Sequence, residues 1–176
     1  ASSPNTISGG ELTSFHELVR SNFEDDPEAV KVDDPGAIYL NRIKFIREDH
    51  EKFIDKLPGN YHTVGFIKQI FPKAKIIYLK RNPWDNAISL YKQFYVSNIP
   101  YASTLFNIAV TYANHEEIMR FWKDECKVNY LTIEYENLVR DVDTSSKKIY
   151  EFCDISHVYN PEKRKNFFAR TASKNQ

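Results

Sequence analysis

Apolar and polar positions alternate between two periods along this chain. The sharpest switch lies between Lys75 and Ser89. Ile76-Ile77-Tyr78-Leu79 is a short β-branched and aromatic run behind Pro72, which predicts a buried strand rather than a helix. Asn82-Pro83 then makes a turn, because the residue before a proline is pushed out of helical geometry. Asn82 suits a cap, Pro83 a first helical position and Asp85 the first turn. From Trp84 the spacing becomes helical, through Ala87, Ile88, Tyr91 and Tyr95.

The same reading extends along the chain. Ala1 to Gly10 is polar and reads as a loop; Leu12, Phe15, Leu18 and Val19 predict a helix starting near Glu11. Glu24 to Asp34 is an acidic, proline-punctuated surface connection. Ile38 to Arg47 predicts an amphipathic helix, and Lys52 to Asp55 a strand that ends at Lys56. Asn60 is placed as the cap of a helix from Tyr61 to Phe71. Ser97 to Pro100 breaks the pattern, and a long helix is expected from Ser103 to Asp124. Val128 to Ile133 predicts a third strand, and Asp143-Thr144 the cap of a helix to Phe152. Tyr159 to Gln176 carries no stripe and reads as a loop. Strands alternating with helices predict an α/β fold, a parallel sheet with helices on both faces. The strands near Phe53, Ile77 and Tyr130 are expected as parallel neighbours or near-neighbours in one sheet.

Composition narrows the function classes. With 176 residues the chain suits one domain. Lys plus Arg equals Asp plus Glu, so the basic excess of a general nucleic-acid binder is missing and any anion site must be local. No apolar run approaches the roughly 18 residues of a membrane span. Two distant cysteines and five histidines without ligand spacing point to neither a disulfide framework nor a metal site. A reducing, cytoplasmic setting follows as the default.

Arg81 leaves the C-terminal end of the central strand, and Ser89 is expected to face inward two turns into the next helix. Ligands of open α/β sheets bind at such strand ends. A guanidinium and a hydroxyl together suit a phosphate. On spacing alone, Arg81 equally suits an ion pair and Ser89 a helix-packing position. R-N-P-x-D-x-x-x-S behind a hydrophobic strand resembles the 3′-phosphate segment of sulfotransferases that use 3′-phosphoadenosine 5′-phosphosulfate (PAPS). The resemblance implies that Arg81 and Ser89 hold the donor's 3′-phosphate.

Further stretches carry the same resemblance. A-S-S-P-N-T-I-S-G-G-E-L is similar to the A-S-H-P…G-E-L stretch of bacterial sulfotransferase domains of the tetratricopeptide-linked, protein-tyrosine-sulfotransferase-like type. It implies Glu11 as general base, with Glu17 the alternative on the same helix. D-K-L-P-G-N resembles the segment with the family's catalytic lysine, which implies Lys56; read alone, Lys56 is a solvated lysine at a strand end. Tyr135 matches a tyrosine near the adenine, and otherwise reads as a half-buried aromatic. R-T-A-S-K-N-Q resembles the stretch that closes over the donor, implying Ser173 as a contact and Thr171 as its alternative.

The resemblance implies a P-loop-kinase-like fold and transfer of a sulfuryl group to a small-molecule, peptide or glycan acceptor. The product nucleotide is 3′,5′-adenosine bisphosphate. No metal, nucleic-acid or membrane partner is expected. The family's first strand and 5′-phosphosulfate loop have no counterpart before Ala1, and there is no G-x-x-x-x-G-K-[ST]. The chain therefore reads as one domain, 1–176, cut at both ends and nearly inert, with an exposed sheet edge that invites self-association. The rival reading is a non-catalytic nucleotide-binding or interaction fragment.

Overall fold

The computed structural model describes residues 5–23, 33–92 and 100–156. Four strands are present among them: β1 (Thr6–Gly10), β2 (Lys52–Asp55), β3 (Ile76–Lys80) and β4 (Tyr130–Glu134). Helices α1 (Ser14–Phe23) and α2 (Pro35–Arg47) lie between β1 and β2. A 3₁₀ turn, Pro58–His62, and α3 (Val64–Ile70) lead to β3. Helices α4 (Pro83–Lys92) and α5 (Leu105–Asp124) connect β3 to β4, and α6 (Tyr135–Arg140) and α7 (Val142–Phe152) follow. Parallel strands need such crossovers to return the chain to the same end.

Both strand pairings are parallel, β1 with β2 and β3 with β4. Among the described residues they form two two-stranded sheets, not the single sheet expected for the strands at Phe53, Ile77 and Tyr130. Between the sheets runs an open groove of about 940 Å³, with Phe53 and Asp55 along it on the β2 side and Ile76 to Leu79 on the β3 side. The expected loop at Ala1 to Gly10 is also corrected: residues 6–10 are strand β1. Ile7 is its one large apolar residue, so the period-2 signal is weak and β2 supplies the missing stabilisation. Packing explains the glycine beside it, since a Cβ on Gly9 would lie 2.3 Å from the Phe53 ring.

Two apolar clusters hold the helices to the strands. Phe15, Leu18 and Val19 of α1 pack with Tyr39 and Ile43 of α2, and Phe53 joins them from β2. Val64, Met119 and Val128 form the second cluster, joined by Ile76 and Tyr78 of β3 and Tyr130 of β4. Helix α3 serves both, giving Val64 to one and Phe66, Ile67 and Ile70 to the other. Side chains alternate across a strand. Ile76 and Tyr78 thus turn toward α5, and Ile77 and Leu79 to the opposite face. There Ile133 of β4 is buried and α7 touches β4, but Ile77 and Leu79 remain 41% and 51% exposed. Coverage of that far face is partial.

Capping sets the helix starts. Asp34 accepts from the Ala37 N–H at 2.8 Å, so α2 begins at Pro35, three residues before the expected start. Asn82 caps α4 as expected, accepting from Trp84 and Asp85 N–H at 2.9 and 3.3 Å. Thr104 caps α5 through the Asn107 N–H. Asp141, not Asp143, caps α7 through the Thr144 N–H at 3.1 Å. Asn60 does not cap a helix at Tyr61. It sits in the 3₁₀ turn with its Oδ1 2.9 Å from His16 Nε2, and α3 starts later, at Val64. Residues 97–99 of the break at Ser97 to Pro100, most of the acidic connection and the C-terminal loop, with Thr171 and Ser173, lie outside the described residues.

Candidate functional site

The first side-chain group stands where β1 and β2 end. Gly10 has φ of 75°, a backbone region that side-chain-bearing residues rarely adopt. A register irregularity between Ser8 and Gly10 pairs Gly10 with Asp55. The Lys56 N–H then donates to the Gly10 carbonyl at 3.0 Å. The next residues on the two strands are Glu11 and Lys56, and the Lys56 ammonium donates to Glu11 Oε1 in an ion pair. Glu11 therefore lies in the turn before α1, not in the helix's first turn as expected. Glu17, the alternative, is engaged elsewhere: it accepts from Thr13 Oγ1 at 2.8 Å and pairs with Arg42 at 3.2 Å.

Asp55, just before Lys56, was not singled out by sequence reasoning. Its Oδ2 accepts from the Tyr39 hydroxyl at 2.6 Å, while its Oδ1 is buried without a partner. Burial, then the Asp55 hydrogen bond, pushes the Tyr39 hydroxyl pKa far up. The only sequence signal was an acidic residue at the end of an apolar strand.

The second group stands where β3 and β4 end. The register pairs Lys80 with Glu134, so the next residues, Arg81 and Tyr135, emerge side by side. The Arg81 guanidinium carbon lies 5.2 Å from the Tyr135 ring centroid, within cation–π range. Tyr135 is the first residue of α6 and is 39% exposed. The Arg81 carbonyl accepts from the Tyr112 hydroxyl at 3.1 Å, and Arg81 Nε is buried without a partner. Glu136 accepts from the Asn82 N–H at 2.9 Å. That bond, aided by Arg81, lowers its carboxyl pKa.

Behind Arg81, Glu116 of α5 accepts from both the Tyr78 hydroxyl and the Lys80 ammonium. Burial works to raise the Glu116 pKa, but the bonds from Lys80 and Tyr78 outweigh it and the net shift is downward. Sequence reasoning missed Glu116, because nothing in the spacing shows a residue of α5 meeting β3. Ser89 lies on α4 but is exposed, not inward as expected. The helical rise puts it roughly 9 Å along the axis from Pro83. The structure joins Glu11 to Lys56 and Arg81 to Tyr135. Ser89 belongs to neither pair.

The model of the sulfotransferase family matches residues 11–159. The chain belongs to the sulfotransferase family. The matched span carries Glu11, Lys56, Arg81, Ser89 and Tyr135. An uncharacterized protein of Aquifex aeolicus (strain VF5) is similar at 32% identity over 120 residues, 66% of this chain and 16% of that protein. Sulfotransferase 4A1 of Mus musculus and that of Rattus norvegicus are each 29% identical over 93 residues, 47% of this chain and 32% of theirs. The chain thus spans less than a third of the length of these curated relatives in the matched regions. Among the described residues no helix is long and apolar enough to cross a membrane.

Proposed function

We propose that this sulfotransferase moves a sulfuryl group from PAPS to a hydroxyl or amine acceptor, releasing 3′,5′-adenosine bisphosphate. One observation carries the reading: the Arg81 guanidinium stands at the end of β3 and lies against the Tyr135 ring. A guanidinium suits a phosphate, and an aromatic ring beside it suits a base or ribose face. Ser89 adds a hydroxyl from the following helix, and Thr171 and Ser173 are read as further donor contacts.

The chemistry falls to Glu11 and Lys56. As the acceptor oxygen or nitrogen bonds to sulfur, Glu11 takes the acceptor's proton. The bond from sulfur to the bridging phosphate oxygen breaks, and its electron pair stays on that oxygen. The Lys56 ammonium stabilises the charge developing there. Glu11 and Lys56 must first part from each other, and the donor's own phosphate offers Lys56 a replacement partner.

The finer fold reading is P-loop-kinase-like, with a further parallel strand between β2 and β3 leading into a 5′-phosphosulfate loop. The two edges along one groove, and the unpartnered Asp55 Oδ1 beside it, support that reading. The subtype is read as the bacterial tetratricopeptide-linked kind, acting on a small molecule, peptide or glycan. The setting is read as cytoplasmic, with both cysteines free.

Calorimetry with 3′,5′-adenosine bisphosphate and 5′-AMP tests the donor assignment. The bisphosphate should bind about tenfold more tightly or better, since a hydrogen bond to a charged group contributes ~1.5–3 kcal/mol. Arg81→Ala should remove most of that preference. Equal affinities in the parent chain would refute the assignment.

A further inference from the structure

We propose that Tyr112 and Glu116 of α5 are positioning residues for Arg81, holding the exit of β3 so that its guanidinium keeps one direction. The proposal rests on the reading of Arg81 as the 3′-phosphate ligand, and assigns the control of that ligand to a helix that does not carry it. Residues four apart share one face of a helix. Tyr112 and Glu116 therefore present two polar groups, one turn apart, to the end of β3. Strand alternation puts Tyr78 and Lys80 on the side that faces α5. The two patterns meet: Glu116 accepts from the Tyr78 hydroxyl and the Lys80 ammonium, and the Tyr112 hydroxyl donates to the Arg81 carbonyl.

Three residues at the strand's end, Tyr78, Lys80 and Arg81, are thus tied to one helix face. Lys80 is drawn toward α5 and its charge is taken up by Glu116. Arg81, next in the chain, goes to Tyr135 instead. Its Nε is buried with no acceptor among the described residues, a donor that only a fixed side chain keeps out of water. An arginine with several rotatable bonds loses entropy when held this way, and ties at its own carbonyl and at the preceding residue limit the directions it can take. Glu136, bonded to the Asn82 N–H, holds the next residue from the β4 side.

Two readouts in the 176-residue chain test this. The first is the ratio of affinities for 3′,5′-adenosine bisphosphate and 5′-AMP. The second is solvent exchange of the Arg81 Nε–H, followed by ¹⁵N NMR. Tyr112→Phe and Glu116→Ala should each bring the affinity ratio to within about threefold of unity and speed Nε–H exchange at least about tenfold. Glu116→Gln keeps an acceptor for Tyr78 and should fall between. A merely structural role would lower the melting temperature of the variants and leave both readouts unchanged, and that result overturns the proposal. Fast Nε–H exchange in the parent chain overturns it too. If the parent shows no preference for the bisphosphate, the 3′-phosphate reading fails, and the exchange measurement alone decides the positioning role. Should Glu116→Ala not fold, Tyr112→Phe, which removes one oxygen, gives the decision.

Discussion

The Glu11 carboxylate and the Lys56 ammonium form an ion pair although 45 residues separate them in the chain. The contact follows from the β1–β2 register: Gly10 is partnered with Asp55, so the residues one step further must meet. Both side chains are more than half exposed, which limits what the pair adds to stability. Its position at two strand ends suits chemistry better than folding.

Lys56→Ala should therefore lower kcat by ~10²–10³-fold and leave the melting temperature nearly unchanged. Glu11→Gln should lower it by ~10²–10⁴-fold. Transfer of radiolabel from PAPS to a panel of hydroxyl acceptors measures both. The comparison is of rates within one chain, so it holds however slow the parent is. A Lys56→Ala rate within a factor of a few of the parent would remove Lys56 from the mechanism.

Gly65→Ala should destabilise the fold, although alanine favours a helix by ~1 kcal/mol over glycine. A Cβ at Gly65 would lie 2.4 Å from the Trp122 ring. That ring cannot move freely, since Trp122 Nε1 donates to the Tyr61 carbonyl at 2.7 Å. Overpacking of this kind costs ~1–3 kcal/mol and should exceed the helix gain. Thermal unfolding checks the sign. In a Trp122→Leu background the same glycine change should become neutral or stabilising.

Acidification from pH 7 to 5 should lower the melting temperature. His115 packs against Tyr61 and Tyr78, with ring centroids 4.6 and 5.2 Å away. Burial pushes its pKa down; Glu116 works against this, and His62 and Lys80 add to it. The folded pKa thus lies below the unfolded value of about 6.5. The stability that His115 contributes is complete above that unfolded value and is lost as pH falls through the folded one. His115→Gln should flatten the pH dependence over this window. An unchanged slope would move the effect to other groups, His62 first, whose pKa is lowered by burial and by His16.

Self-association should grow with concentration and weaken when the far sheet face is charged. Ile54, Ile77 and Leu79 are between 41% and 51% exposed, and the last two stand on one face of β3. Apolar sheet surface of this kind pairs readily. Sedimentation velocity should show oligomers that Ile77→Glu with Leu79→Lys returns toward monomer. A parent chain that stays monomeric across the concentration range would contradict the expectation.

Local patterns were read well where the signal was local. Strand Ile76–Lys80, the Asn82-Pro83 helix start and the long α5 each rest on a short run of neighbours, and each was legible from β-branching, a capping side chain or a 3.6-residue stripe. Lys56, Arg81 and Tyr135 stand out by their place at strand ends and Glu11 by its place at a helix start, each together with a family resemblance. What stayed hidden depends on partners far away in the chain. β1 has little apolar alternation of its own, and becomes a strand because Lys52–Asp55 supplies its hydrogen bonds. Asp55 and Glu116 matter through Tyr39, Tyr78 and Lys80, contacts that no spacing encodes. Ser89 shows the same limit in reverse: helical spacing placed it on α4, but its exposure is set by what packs on that helix. Residue order by itself determined which segments extend, which coil and where charged groups leave the strands. Only the tertiary structure decided which strands pair, in what register and with a groove between the two sheets, because those choices come from summed long-range packing and pairing, which no window of neighbours contains.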